Sequence, residues 1–345
     1  MNIHNLFQVA ADKQASDLHL VVGLKPYLRI DGALVTLENE PTVTPQDMEG
    51  QVYSLLTPPQ KERLKTNLEL DISYAAGDGS RFRVNVHYEK GNLGLVARVI
   101  LNKIPSLESI EMPQVTYNLL RLQQGLILVT GPTGCGKSTA LAAMIEYINR
   151  EQNRNIITLE DPIEFIFKPK KSIVIQRELG NDILSFQAGL KHIVRQDPDV
   201  IMVGEMRDLE TIAATITLAE TGHLVLATLH TYSAAQTVDR IIDIFPPYQQ
   251  AQVKQQLASV LSAIISQRLV PKVKGGRIAA REVLLNTPAV ANLIRENKIA
   301  QIPTVVETNH KLGMISMDKA LKNLYKEGVI SQEAMELYST DIIFD

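Results

Sequence analysis

A chain of 345 residues with one cysteine is long enough for about two domains with sizeable cores, which excludes a small disulfide-stapled scaffold and a tetracysteine zinc site. With 35 basic against 38 acidic residues the formal net charge is -3, so no global field draws the chain to nucleic acid or anionic lipid. An apolar fraction of 45 % with 21 % charged residues is a globular composition, not a disordered one.

The amino terminus, MNIHNLFQVAADKQASDLHL, has no basic stretch followed by an unbroken apolar run and does not read as a secretory signal. From Ser16 to about Ile100, short runs (DLHLVVG, YLRI, ALVTL) separated by turn residues such as Asp31-Gly32 predict a small sheet. One helix is expected within it: Thr44, then Pro45 at the first helical position and Asp47 three residues on, with Met48, Val52, Leu55 and Leu56 on one face. After the Gly77-Asp78-Gly79 turn, Phe82, Val84, Val86 and Tyr88 alternate with Arg81, Arg83, Asn85 and His87, so Arg81 and Arg83 project together from the polar face of a strand. LNKIPSLESIEMPQV breaks both periodicities and marks an interdomain linker over 101–116, leaving 1–100 as an α+β first domain.

From Gly125 onward, apolar runs without alternation (LILVT, NIITL, VIMVG, HLVLATL) are separated by helical stretches, which predicts a parallel sheet buried on both faces in a three-layer α/β core over 117–270. LASVLSAIISQRLV, from Leu257, is too short and too polar to span a bilayer, so a cytoplasmic protein without membrane insertion is expected. Residues 271–345 are expected to be mainly helical, with a strand-like IAAREVLL and a helix opened by Thr287-Pro288.

LILVTGPTGCGKST places Gly131, Pro132, Thr133, Gly134, Cys135, Gly136, Lys137, Ser138 and Thr139 in a phosphate-loop pattern between a buried strand and a helix. Glycines turn backbone amides toward phosphates, Lys137 neutralises the β and γ phosphates, and Ser138 offers an oxygen to Mg²⁺, so ATP and Mg²⁺ are the expected ligands. VIMVGE ends a buried strand with Glu205, where a carboxylate can face Mg²⁺ or an attacking water. IITLEDPIEF sets Glu160, Asp161 and Glu164 at the carboxyl edge of another strand, where open α/β sheets build their sites. A cation would relieve their repulsion and free one carboxylate to take a proton from water. His223 and His230 bracket one strand; the roughly 20 Å between them excludes a shared metal site and leaves a structural role or phosphate sensing. Arg81, Arg83, Arg98, Arg195 and Arg207 suit phosphate oxygens, the alternative being ordinary solvated charge. Cys135 beside Lys137 predicts a lowered thiol pKa and alkylation that nucleotide blocks.

Together, ASDLHL (15–20), GPTGCGKST, ITLEDPIEF, GEMRDLET and TGHLVLATLHT resemble the secretion ATPase superfamily of type II and type IV systems nearly end to end. The length, the lack of a tetracysteine element and RIIDIFP around Arg240 are similar to the branch that retracts type IV pili. The resemblance implies a PAS-like first domain, a RecA-like P-loop second domain with C-terminal helices, and a homohexamer with ATP and Mg²⁺ between the two domains. It implies a motor for pilus retraction and twitching motility that acts on an inner-membrane platform protein, and indirectly on pilin, from the cytoplasmic face, with no nucleic-acid partner. It assigns Walker A to Gly131 through Thr139, an aspartate box to Glu160 through Glu164 with Glu164 as catalytic base, an atypical Walker B to Glu205, and a histidine box to His223 and His230. Arg83 and Arg98 approach nucleotide from the first domain and Arg195 and Arg207 from the second. The implied catalytic set is Lys137, Glu164, Glu205, His230, Arg195 and Arg207; His223, Arg83 and Arg98 join the loop in binding nucleotide, and Ser138 and Glu205 hold the metal.

One departure stands out. TPAVANLIRE carries Ala291 where the retraction motif AIRNLIRE has arginine, which leaves a non-retracting or accessory paralogue open. A nucleotide-gated binding module without significant hydrolysis is the alternative from another class. A RecA-like nucleic-acid translocase is disfavoured by the charge balance and the absence of tryptophan.

Overall fold

Alternation in the first hundred residues resolves into rows of side chains on opposite faces of one antiparallel sheet. The computed structural model describes residues 2–30, 32–76, 80–100 and 104–339; Asp31, the Gly77-Asp78-Gly79 turn and residues 101–103 of the expected linker lie outside them. The chain divides into two units, Met1–Lys103 with Pro162–Ile166, and Ile104–Asp161 with Phe167–Asp345.

The first unit runs α1 (Ile3–Asp12), β1 (Asp17–Leu20), β2 (Tyr27–Ile30), β3 (Ala33–Thr36), α2 (Pro45–Leu55), α3 (Pro58–Asn67), β4 (Glu69–Ala75), β5 (Arg81–Glu89) and β6 (Asn92–Ile100). Its strands pair antiparallel in the order β3-β2-β1-β6-β5-β4. One cross-strand row, Leu28–Leu18–Ala97–Val84–Ile72, is buried in the core, where Ile3, Leu6 and Phe7 of α1 and Met48 and Val52 of α2 join it. The next row, Arg29–Asp17–Arg98–Arg83–Ser73, falls on the other face because neighbouring residues of a strand point oppositely. Thr44 caps α2 as its sequence predicts, its Oγ1 accepting from Asp47 N at 3.1 Å.

Two helices, not one, interrupt the strands. In α3 only Leu64 is buried, so no apolar face announces it; its signal was the capping box of Thr57 and Gln60, whose Oε1 accepts from Thr57 N at 2.9 Å.

The second unit contains α4 (Val115–Leu119), β7 (Gly125–Thr130), α5 (Lys137–Glu151), β8 (Asn155–Glu160), β9 (Ile173–Glu178), α6 (Phe186–Ile193), β10 (Val200–Val203), α7 (Leu209–Glu220), β11 (Leu224–Leu229), α8 (Ala234–Asp243), α9 (Pro247–Val260), β12 (Leu261–Pro271) and β13 (Arg277–Leu285). After them come α10 (Pro288–Arg295), α11 (Ile302–Thr308), α12 (Met317–Lys326) and α13 (Gln332–Tyr338). The sheet order is β13-β12-β7-β11-β10-β8-β9, parallel throughout except for β13. This is the parallel α/β core predicted from the apolar runs, RecA-like as the resemblance implies.

Every residue of β7, β10 and β11 is buried, which is why those segments lack alternation. LASVLSAIISQRLV divides into the end of α9 and a full strand, β12, which pairs with β7; β13 then carries the sheet beyond Pro271 before the helices begin. Among the described residues no helix is long and apolar enough to cross a membrane.

The chain leaves β7 through α5 to β8 on one side of the sheet, whereas β12 lies on β7's other side. Ligands of open α/β sheets bind at such a reversal, beyond the carboxyl ends of the strands. Leu128 is fully buried at the centre of β7. Leu128→Ala is expected to lower unfolding free energy by about 3 kcal/mol, read from the urea transition of the second unit; an unmoved midpoint would contradict this packing.

Candidate active site

The segment between β7 and α5 departs from ordinary backbone geometry at three glycines: Gly131, Gly134 and Gly136 have φ of 144°, 77° and 86°. A Cβ on Gly131 would lie 2.3 Å from Gln267 O and 2.6 Å from Cys135 Sγ, so no other residue fits. No side chain caps α5, whose first amides are therefore available to an anion. Lys137, 8 % exposed, donates from Nζ to Gly131 O at 2.8 Å and Pro132 O at 3.0 Å. Burial pushes its ammonium pKa down, with Cys135 and Glu205 acting in the opposite sense. A buried ammonium bonded to neutral carbonyls beside an uncapped helix start is a site that phosphate oxygens fit.

A chain of polar groups leads from this lysine across the adjacent strand ends. His230, just after β11, has Nδ1 at 3.3 Å from Lys137 Nζ and from Thr133 Oγ1, and Nε2 at 2.9 Å from Glu205 Oε1. An ammonium can only donate, so Nδ1 accepts and the ring proton sits on Nε2, directed at Glu205. Arg207 Nη2 is 2.8 Å from Glu205 Oε2, and Arg207 Nη1 is 3.9 Å from Asp161 Oδ2. Burial would raise the Glu205 pKa, but the Arg207 hydrogen bond and the charges of Arg207 and Lys137 outweigh it and hold the carboxyl below its ordinary value. Its backbone is pinned on both sides: Gly204 O accepts from Thr228 Oγ1, and Met206 N donates to Thr228 O at 3.1 Å. Lys137, His230, Glu205, Arg207 and Asp161 thus join the carboxyl ends of β7, β11, β10 and β8.

Residues 2–310 match the family of type II/IV secretion system proteins. The chain belongs to that family. It is 44 % identical over 333 residues to the type IV pilus retraction ATPase PilT of Pseudomonas aeruginosa, covering 96 % of each chain. It is 46 % identical over 310 residues to a twitching motility protein of Neisseria gonorrhoeae, covering 90 % of this chain and 83 % of that one. A crystal structure of the pilus retraction motor PilT with bound ADP matches with a TM-score of 0.93 at 44 % identity, over 99 % of this chain and 98 % of the other. Family, fold and loop make the chain an ATP hydrolase.

The remaining residues singled out in the sequence are distributed unevenly. Glu160 is buried, its Oε1 accepting from Thr158 Oγ1 at 2.6 Å and Gln176 Nε2 at 3.0 Å, so it is anchored in the β8–β9 pair and does not join an acidic cluster with Asp161. Glu164 is exposed between buried Ile163 and Phe165, on the short segment grouped with the first unit. Ser138 and Thr139 lie in the first turn of α5 with Ser138 exposed. The Ser138 hydroxyl and the Glu205 carboxylate are hard oxygen donors of the kind Mg²⁺ takes, and an ion held mainly by phosphate and water needs only one or two of them. Among the described residues there is no cluster of three His, Cys, Asp or Glu side chains that could hold a metal alone.

His223 and Arg195 are not brought to the loop of their own chain. His223 precedes β11, with Nδ1 2.9 Å from Leu218 O, and Arg195 is exposed on the turn Val194–Gln196 ahead of β10; both are at the amino edge of the sheet, about 15–20 Å along the strands from the site. In the first unit, Arg98 Nε is 2.8 Å from Asp17 Oδ1 and Arg29 Nε is 3.9 Å from Asp17 Oδ2, while Arg83, opposite Arg98, is exposed. Asp17 and Arg29 were not recognised in the sequence; the acidic residue of ASDLHL facing YLRI was the available signal. Gln267, the floor of the loop, had none short of the strand order.

Cys135 corrects an expectation. Its thiol pKa is raised, not lowered: the side chain is 3 % exposed, and burial outweighs the nearby Lys137 charge. Native protein at pH 8 is therefore expected to alkylate at least about tenfold more slowly than a free thiol, nucleotide or not, and unfolded protein at the ordinary rate. Equal native and unfolded rates would contradict the burial. Because the folded pKa of Glu205 is depressed, the stability it contributes is full above the ordinary value of 4.5 and is lost as pH falls through the depressed one. The destabilisation caused by Glu205→Gln should accordingly be largest near neutrality and vanish in acid, as urea midpoints across pH would register.

Proposed function

We propose that this chain is a Mg²⁺-dependent ATPase motor that works as a homohexamer, acts on an inner-membrane pilus platform protein from the cytoplasmic face, and so withdraws pilin in type IV pilus retraction. The observation that carries this is the 44 % identity to the retraction ATPase PilT over 96 % of both chains. The phosphate loop and the polar chain from Lys137 to Asp161 supply a site for the chemistry.

On nucleotide binding, Lys137 exchanges the Gly131 and Pro132 carbonyls for phosphate oxygens, and the α5 amides take the remaining charge. Ser138 and Glu205 would hold Mg²⁺, which would neutralise charge on the phosphates. Departure of Lys137 frees His230 Nδ1 to take up a proton and donate to the γ-phosphate, while Nε2–H stays on Glu205. Glu164 orients or deprotonates the attacking water, and Arg207 stabilises the charge that develops. Arg83 and Arg98 supply further cationic groups for phosphate oxygens. Roles for His223 and Arg195 fit a neighbouring subunit's nucleotide, given their place at the other edge of the sheet.

Lys137→Ala is expected to reduce phosphate release to background, and Glu164→Gln to keep nucleotide binding while slowing hydrolysis by about 10² to 10⁴. Normal turnover in either variant would remove that residue from its role, and binding without release by the purified wild type would favour a nucleotide-gated module. In the source organism, deletion should give excess pili and lost motility. A second reading, an accessory paralogue that does not retract, is favoured by Ala291: it is 7 % exposed within the main core of the second unit, where the retraction motif carries arginine. Unchanged pili and motility after deletion would support that second reading, and bald cells would overturn retraction altogether.

A further inference from the structure

One residue of β12 touches the phosphate loop at both ends. Gln267 is 1 % exposed; its backbone carbonyl is the atom that forbids a side chain at Gly131, and its Nε2 donates to Cys135 O at 2.8 Å. The other end of the same amide, Oε1, accepts from Arg281 Nε at 3.3 Å, Arg281 standing directly opposite Gln267 in the β12–β13 pair. Arg281 Nη1 then donates to Ile110 O at 2.9 Å and Glu111 O at 3.1 Å. Three links in series therefore run from the loop to a turn in the segment between the two sheets, across 171 residues of sequence in the longest step.

Two features set this series apart from ordinary packing. Arg281 is 6 % exposed, and its hydrogen-bond partners are all neutral oxygens; burial brings the guanidinium down to about 10. A buried charge bonded to carbonyls is tolerated only while that geometry holds. The turn it grips is itself constrained: Glu111 has φ of 53°, a left-handed value unusual for a residue with a side chain, with Glu111 N bonded to Glu108 O at 3.0 Å and Met112 N to Leu107 O at 2.9 Å. The Gln267 amide is planar, so a displacement of the Cys135 carbonyl that turns Nε2 also turns Oε1 against Arg281.

We propose that Gln267 and Arg281 are positioning residues that tie the conformation of the turn at 107–111 to the state of the phosphate loop. Phosphate binding moves the loop backbone, the amide follows, and Arg281 changes its hold on the Ile110 and Glu111 carbonyls. The proposal rests on the loop being the nucleotide site, and the experiment separates the two.

Amide hydrogen exchange is followed by mass spectrometry on the full chain, with and without Mg²⁺ and the nonhydrolysable analogue AMP-PNP, alongside binding of a fluorescent ATP analogue. In the wild type, analogue is expected to change exchange in 104–112 by about tenfold, the scale of one hydrogen bond to a charged group. Gln267→Met keeps both Arg281 bonds to the turn but severs the loop, and should abolish that change at analogue concentrations that the fluorescence assay shows to saturate the variant. Gln267→Glu, which still accepts from Arg281 but cannot donate to Cys135 O, should do the same and serves if the methionine variant does not fold. Persistence of the response in these variants would mean that Arg281 merely anchors the turn, and the proposal falls. Analogue bound to wild type with no change at 104–112 overturns it equally, whereas failure of the wild type to bind any nucleotide overturns the assignment of the loop and the proposal with it.

Discussion

The ammonium of Lys137 is buried, and the partners nearest to it are two carbonyls and one imidazole nitrogen. Taking a charge out of water without an ionic partner is unfavourable, and its depressed pKa expresses that tension. The loop therefore holds a lysine that gains most from an anion placed between it and the α5 amides. The same lysine fixes the tautomer of His230, which turns its remaining N–H on Glu205, which in turn holds Arg207. A ligand that draws Lys137 away changes every contact along this line, so the groups assigned to binding and to hydrolysis respond together.

Legibility followed the range of the interaction. The loop was readable because GPTGCGKST encodes its own backbone: glycines where φ is positive, then lysine at the first helical position. β7, β8, β10 and β11 were readable because burial on both faces leaves unbroken apolar runs. β12 was not, since Ser262, Ser266, Gln267 and Arg268 interrupt its apolar residues and the preceding helix runs straight into it. Those polar residues are there because Ser266 bonds Thr130 at the start of the loop, Gln267 floors the loop, and Arg268 reaches Tyr338 O. The line from Lys137 to Asp161 depends on which strands are neighbours, something no local pattern states. Cys135 was misjudged for the same reason: adjacency to Lys137 is visible in the sequence, whereas enclosure is not.

In the first unit, the row Arg29–Asp17–Arg98–Arg83 sets three guanidinium groups against one carboxylate, a local excess of two positive charges on an open sheet face. Burial would raise the Asp17 pKa, yet bonds from Ser16 and Arg98 and the Arg98 charge keep it low, so the carboxylate stays ionised and orients its arginine. Arg83, directly across from Arg98, has like charge as its nearest neighbour on that side, which favours holding both only if an anion is shared. A chain of net charge -3 thus concentrates positive charge where a polyphosphate could use it.

The two edges of the second sheet carry different kinds of group, and parallel strands make the division strict. Side chains that follow β7, β8, β10 and β11 converge on one loop, whereas those that precede the strands, His223 and Arg195 among them, are a strand length away and cannot turn the corner. A role for these two in hydrolysis therefore requires a second copy of the chain, presenting its amino edge to the first copy's loop. If instead they serve only the fold, His223 does so through its bonds to Leu218 O and Thr221 Oγ1 at the end of α7, while the exposed Arg195 has no comparable hold and its replacement would leave a lone subunit's stability unchanged. The asymmetry between them means that Arg195, not His223, separates assembly-dependent catalysis from local structure: a loss of turnover on replacing it, without loss of stability, points to contact between subunits.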